Sequence, residues 1–106
     1  MELNVIEEVE IVGKKRIRTK AKVDTGAHRT SIDMNLAAKA QLGPIIKVVK
    51  VKSGLHGTVK RRVVVPLTIV IRGKRIKTEA SVEDRSHMKY KVIIGRNTLK
   101  GFKVRI

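Results

Sequence analysis

The sequence predicts an all-β fold, a small barrel or sandwich with one or two short helices, and three observations carry that prediction. The apolar residues make up 42% of the chain, yet aromatics are only 2%, so Val, Ile and Leu dominate and the β-branched bias favours strands. Residues 16–23 alternate strictly: Arg16, Arg18, Lys20 and Lys22 fall on one face and Ile17, Thr19, Ala21 and Val23 on the other. That period of two marks a half-buried strand. Short runs of this kind are separated by Gly-containing reversals at Gly13-Lys14-Lys15, Ser53–Gly57 and Arg72-Gly73-Lys74, the punctuation of hairpins in small barrels and sandwiches. At 106 residues the chain suits one domain, residues 1–106.

The elements follow in order. Residues 3–11 read as a strand that turns at Gly13 into the strand at 16–23, and this hairpin delivers the chain to Asp24. A loop covers 24–30, and Ser31-Ile32 is short and extended. Asp33 is a suitable N-cap for a helix from Met34 to Leu42, which Gly43-Pro44 ends. Residues 45–52 form a strand, Ser53-Gly54-Leu55-His56-Gly57 a reversal, and 58–71 a long return strand in which Pro66 marks an edge, bulge or break. A strand over 75–83, a polar loop over 84–90, a strand over 91–94, a helical turn over 96–100 and a final strand over 102–106 complete the chain.

Asp24-Thr25-Gly26 is the segment with chemical potential. Peptide hydrolysis without a metal or a covalent nucleophile needs an acid and a base beside one water. Two neighbouring carboxylates supply both, because they cannot ionise together and share a proton. Gly26 permits a close backbone turn and leaves room for substrate. Alone, the triplet is also compatible with an ordinary strand-ending turn.

A second segment, Val92-Ile93-Ile94-Gly95-Arg96-Asn97-Thr98-Leu99, changes its meaning. With Asp24-Thr25-Gly26-Ala27 in the first quarter of the chain and Gly95-Arg96-Asn97 near its end, the sequence resembles the retropepsins, the retroviral-type aspartic proteases. The Gly-flanked hairpin at 53–57 lies where that family has its flap. Ala21–Ala27, Thr30-Ser31 and Glu83–Tyr90 running into Ile94–Asn97 resemble more narrowly the prokaryotic retropepsin-like group labelled ATP-dependent zinc proteases. The resemblance implies an acid-protease barrel acting as an aspartic endopeptidase on peptide or protein substrates. It assigns Asp24 as the catalytic carboxylate and Thr25 as a hydroxyl clamp between subunits. Gly26 and Ala27 complete the active-site loop. His28 and Arg29 then fall in the substrate groove, and Ser53, Gly54, Leu55, His56 and Gly57 at the flap tip. Gly95, Arg96 and Asn97 take structural roles. Retroviral enzymes follow the Ala with an acidic residue that suits the Arg; His28 and Arg29 stand here instead, so Arg96 is expected to pair with Glu83 or Asp84 or to serve another role. Because the Asp-Thr-Gly motif occurs once, the active form is expected to be a two-fold homodimer.

Composition narrows the remaining classes. The absence of cysteine removes disulfides, thiolate catalysis and Cys-type zinc sites. His28, His56 and His87 match no metal-ligand spacing and no Gly-rich phosphate loop occurs, so no metal or cofactor is expected. The longest apolar runs are too short for a membrane span, and the N-terminus does not read as a signal peptide, so the expected location is the cytoplasm. A net charge of +16 admits two readings. One is the charged surface of a thermophile protein; the other is attraction of an acidic partner, either an acidic substrate or nucleic acid. The alternative function is therefore a non-catalytic basic barrel that binds nucleic acid, to which Lys60-Arg61-Arg62 would contribute, or that serves as a dimerisation module. The scarcity of aromatics disfavours single-strand stacking platforms.

Overall fold

Strand alternation builds the first hairpin. Strand β2 (Ile6–Val12) pairs antiparallel with β3 (Arg16–Val23) in the register Glu7↔Ala21 to Val12↔Arg16. The even-numbered cations of β3 face solvent while Ala21 and Val23 are buried. The structure, a computed structural model, describes residues 1–53 and 57–105. A two-residue strand, β1 (Glu2–Leu3), precedes the hairpin, and β4 (Thr30–Asp33) and the helix α1 (Met34–Ala40) follow it. Then come β5 (Lys47–Ser53), β6 (Thr58–Ile71), β7 (Lys74–Glu83), β8 (Val92–Ile94) and β9 (Lys103–Val104).

The main sheet has the order β2-β3-β8-β4-β7-β6-β5, and an additional β2–β6 pairing closes the first six strands into a barrel. β6 makes closure feasible because it is long. Its first half pairs with β5 and its last residues, Thr68–Ile71, pair with β2, while β7 runs along its other side. Closure gives each member a neighbour on both sides over part of its length, although Arg16–Lys20 of β3 pair with β2 alone and Pro66 of β6 with β7 alone. Ile11, Ile32, Leu67, Ile69, Ile71, Val92 and Ile94 fill the interior, all 2% exposed or less.

Several boundaries differ from the sequence expectation, each for a tertiary reason. The first strand is divided: β1 leaves at Asn4 to pair with β9, and the Asn4 N–H is taken by Glu7 Oε2 at 2.7 Å. The helix stops at Ala40, not Leu42. Gln41 adopts a left-handed conformation (φ 56°), and the N–H of Leu42 turns back to the Ala37 carbonyl. Asp33 caps the other end, accepting from the N–H groups of Asn35 and Leu36. Ile45 and Ile46 stand exposed before β5 begins at Lys47. Pro66 does not break β6. It lies opposite Glu79 of β7, in the gap where β5 has ended (Lys47↔Val64) and β2 has not begun (Val12↔Thr68), so the strand there has one neighbour only. Its missing N–H is therefore tolerated, as at a sheet edge. Residues 96–100 form successive turns with Thr98 N–H to Gly95 O and Leu99 N–H to Arg96 O, and α1 is the one helix among the described residues. The final strand shortens to Lys103–Val104.

Candidate active site

Strand β8 is inserted between β3 and β4, parallel to the first (Val23↔Ile94) and antiparallel to the second (Ser31↔Ile93). The chain therefore leaves β3, arches over the C-terminal end of β8 and returns as β4. That arch is 24–29, and Gly95-Arg96-Asn97 emerges from β8 directly beneath it. Backbone bonds clasp the two segments: Asp24 N–H to Ile94 O (2.9 Å), Arg96 N–H to Ala27 O (2.8 Å) and Asn97 N–H to His28 O (3.2 Å). Gly95 is buried at the crossing. A Cβ there would lie 2.5 Å from the Arg29 carbonyl carbon and 2.8 Å from the Thr30 nitrogen, which explains why the crossing requires glycine.

Asp24 is half-buried and its carboxylate is oriented locally, with Oδ1 accepting the Gly26 N–H at 2.9 Å. Thr25 is exposed. Arg96 does not pair with Glu83 or Asp84. Its guanidinium reaches the Thr25 carbonyl at 3.5 Å, tying the post-β8 turn to the arch. Glu83 is already engaged, with Oε1 3.0 Å from Arg85 and Oε2 3.4 Å from Arg62. Asp84 accepts the Ser86 N–H at 2.9 Å, and hydrogen bonds from Ser86 hold its carboxyl below the usual range.

Below the arch lies a polar network that the sequence reading did not anticipate. The buried Thr30 hydroxyl accepts the Gly95 N–H (3.1 Å), donates to Asn97 Oδ1 (2.8 Å) and lies 2.6 Å from the Thr98 hydroxyl. Asn97 Oδ1 also takes the Thr30 N–H at 2.8 Å, and its amide donates to the Glu79 carbonyl at 2.9 Å. A buried network of this kind is stabilising only when its members are satisfied. Here it fixes the start of β4 to the turn after β8.

A cavity of about 560 Å³ opens beside Asp24, with Ala27 and Arg29 from the arch on its wall. Lys22 joins them because it lies two residues before Asp24, on the same face of the strand. The opposite wall is the 84–90 loop, through Arg85, Met88, Lys89 and Tyr90. That loop is strongly organised. The Lys91 ammonium donates to the carbonyls of Arg85, Ser86 and Met88 at 2.9, 2.9 and 3.0 Å. Arg85 donates its Nε to Tyr90 O at 3.0 Å, and its N–H to Asp33 Oδ1 at 2.8 Å. A second cavity of about 410 Å³ is lined by His28 and Arg29 together with Val49, Lys50, Val51 and Lys52 of β5. Arg29 thus borders both spaces, with its guanidinium 3.4 Å from Glu79. Ser53 ends β5 opposite Thr58, and Gly57 has φ 63°; the predicted flap-tip residues Gly54, Leu55 and His56 lie outside the described residues. The one sequence signal for the unanticipated cavity residues was the Lys22–Asp24 spacing; the 84–90 loop reaches Asp24 only through the insertion of β8.

The architecture is that of the retropepsins. EIAV protease complexed with the inhibitor HBY-793 superposes with a TM-score of 0.72 at 22% identity, covering 95% of this chain and 91% of that one. A Legionella pneumophila protein of unknown function gives 0.66 at 16% identity, covering 98% and 91%. The simian foamy virus protease gives 0.60 at 26% identity, covering 89% and 90%. No curated protein matches the sequence. The model of the RimB-like family, described as the retropepsin-like aspartic endopeptidase RimB, matches residues 33–106. The chain belongs to that family. The matched region begins after Asp24, so it is the hydrogen-bonded clasp at Gly95–Asn97 that connects the Asp24 arch to the family-matched part of the chain. Among the described residues no helix is long and apolar enough to cross a membrane.

Proposed function

We propose that this chain, taken as one retropepsin-like domain over residues 1–106, is an aspartic endopeptidase whose catalytic carboxylate is Asp24. The observation that carries the reading is the clasped arch. Asp24 stands at the wall of a cavity of about 560 Å³, its carboxylate oriented by the Gly26 N–H and its backbone held by Ile94. One copy supplies one such carboxylate, so the active form is a two-fold homodimer in which two Asp24 side chains share a proton. The ionised member takes a proton from a water, which attacks the peptide carbonyl carbon. The protonated member donates to the carbonyl oxygen. In this reading the Thr25 hydroxyl clamps one arch to the other, and Gly26 and Ala27 floor the groove. The likeness to the group labelled ATP-dependent zinc proteases rests on the residues Ala21–Ala27 and Glu83–Asn97, and no step above requires ATP or zinc.

An acidic peptide is the proposed substrate class. The cavity brings Lys22, Arg29, Arg85 and Lys89 against Asp24 and Glu83. Glu83 engages Arg85 and Glu79 engages Arg29, while Lys22 and Lys89 have no ion-pair partner among the described residues. A basic approach of this kind concentrates anionic chains. The test is cleavage of Glu-rich and neutral peptides by wild type and Asp24→Asn. The expected result is loss of all cleavage in the variant with an unchanged circular dichroism spectrum, and a Glu-rich preference that weakens with salt. Asp24→Asn protein that cleaves at the wild-type rate overturns the catalytic assignment; equal rates on both peptides at all salt concentrations remove the acidic preference. The exposed stripe Arg16, Arg18, Lys20 and Lys22 keeps nucleic-acid binding as the second reading, which prevails if wild type binds RNA tightly and cleaves no peptide.

A further inference from the structure

Period-two alternation puts Glu79, Ser81 and Glu83 on one face of β7. Ser81 and Glu83 line the cavity along β5, and Glu83 also lines the cavity beside Asp24. Glu79 sits at the near end of this row and serves two cations with one oxygen. The Lys47 ammonium lies 2.7 Å from its Oε1, and the Arg29 guanidinium lies 3.4 Å from the same atom. The two contacts are unequal. Charge-assisted N–H···O bonds run at about 2.7–2.9 Å, so the Lys47 contact is tight and the Arg29 contact is loose.

Arg29 is therefore held weakly at a place where a ligand can reach it. Its side chain is 28% exposed and borders both cavities. Nη1 meets Glu79, while Nε and Nη2 have no hydrogen-bond partner among the described residues. A guanidinium offers a fork of donors that matches a carboxylate with two parallel bonds. An incoming carboxylate can make both, whereas Glu79 makes one long contact. Nor does Glu79 lose its neutralising charge when Arg29 turns away, because Lys47 still holds it.

We infer that Glu79 is a built-in competitor for a substrate carboxylate. In the free protein it occupies Arg29. An acidic side chain of a bound peptide takes the guanidinium over, and Glu79 falls back on Lys47 alone. A neutral peptide leaves the Arg29–Glu79 pair intact, so it covers no unpaired charge, which would be costly to desolvate. Glu79 thus lowers affinity for acidic peptides and softens discrimination against neutral ones. The same competition hastens departure of an acidic product. The inference rests on the acidic-peptide reading above and adds the residue that limits the preference.

The test measures peptide affinity by fluorescence anisotropy on Asp24→Asn protein, which binds without turnover. The probes are a Glu-rich peptide and its Gln counterpart, both blocked at their ends so that side chains supply the only carboxylates. Glu79→Gln is expected to tighten binding of the Glu-rich peptide about threefold, the scale of a partly exposed ion pair, and to leave the Gln peptide no tighter. In an Arg29→Gln background the same substitution should change neither affinity, because its effect runs through Arg29. Arg29→Lys, which keeps the charge but not the fork, should recover part of the affinity that Arg29→Gln loses. With Asp24 intact, the Glu79→Gln gain should fall in KM and not in kcat. Unchanged affinity in Glu79→Gln overturns the inference. So does equal tightening with and without Arg29, which would mark a general field effect of the lost negative charge. Intact protein that cleaves neither peptide refutes the peptidase reading, while the affinities still decide the role of Glu79. Failure of either peptide to bind at all refutes the acidic-peptide reading and the competitor with it.

Discussion

Gly95→Ala adds one methyl group at the point where the Asp24 arch crosses the end of β8. The added carbon would lie 2.5, 2.6 and 2.8 Å from the Arg29 carbonyl carbon, the Arg29 oxygen and the Thr30 nitrogen. Ordinary carbon contacts lie at about 3.5–4.0 Å, so the arch must retreat by about 1 Å. The obstruction is backbone, and that backbone is pinned: Thr30 N–H by Asn97 Oδ1 at 2.8 Å, Ala27 O by Arg96 N–H at 2.8 Å. Relief through a side-chain rotamer is therefore closed. Overpacking a well-filled site costs about 1–3 kcal/mol, and loss of one or two clasp bonds adds about 1 kcal/mol each. A total near 3 kcal/mol lowers the melting temperature of a domain this size by roughly 12–24 °C. Displacing a catalytic group by about 1 Å costs on the order of 100-fold in rate. Activity should therefore fall by about that factor even at 15 °C, where the variant remains folded. Thermal unfolding followed by circular dichroism, with peptide cleavage measured well below the transition, reads both quantities. A variant that melts within about 4 °C of wild type and keeps more than about half its activity refutes the argument that this crossing fixes the arch.

The other predictions concern the network, the cavity wall and a remote ion pair. Asn97→Ala removes the acceptor of the Thr30 N–H and hydroxyl and the donor to Glu79 O; stranding such buried groups costs about 1–3 kcal/mol each, and urea unfolding should show a loss of at least 2 kcal/mol, with Asn97→Asp, which keeps the acceptor, between the two. Lys91→Met withdraws three donors from the 84–90 loop, so KM should rise several-fold with kcat nearly unchanged, and equal falls in kcat and kcat/KM would assign the loop a different role. Glu7 lies under Arg72, and hydrogen bonds from that guanidinium hold its carboxyl below its usual pKa despite burial. Its ionised form therefore contributes stability above pH 4.5, a contribution that is lost as pH falls through the lowered folded value. Glu7→Gln should accordingly be less stable than wild type at pH 7, and the gap should narrow at pH 3; a gap independent of pH in denaturant titrations contradicts the pairing.

Much of the fold was legible in the residues because it follows from local periodicity. The alternation at 16–23 gave β3 its buried and exposed faces. Asp33 marked the start of α1, and Gly73 marked the reversal between β6 and β7. Wherever a partner strand decides the outcome, the sequence was insufficient. Pro66 lies within a continuous strand because β5 and β2 happen to leave a gap beside it. The first strand divides because its leading residues find β9, a partner at the other end of the chain. Arg96 meets the Thr25 carbonyl, and Glu83 is held by Arg62 and Arg85, pairings that spacing does not reveal.

What the sequence by itself determined is the chemistry available: one Asp24-Thr25-Gly26-Ala27 segment at the end of an amphipathic strand, a Gly95-Arg96-Asn97 segment after an apolar one, no thiols and a strongly positive balance. What only the tertiary structure decided is adjacency. Inserting β8 between β3 and β4 lays residues 24–29 across residues 95–97, some seventy positions apart in the chain, and puts the 84–90 loop across a cavity from Asp24. The physical reason is the same in each case. Side-chain direction along a strand repeats locally every two residues, but which strands become neighbours is set by closing the barrel around one shared core.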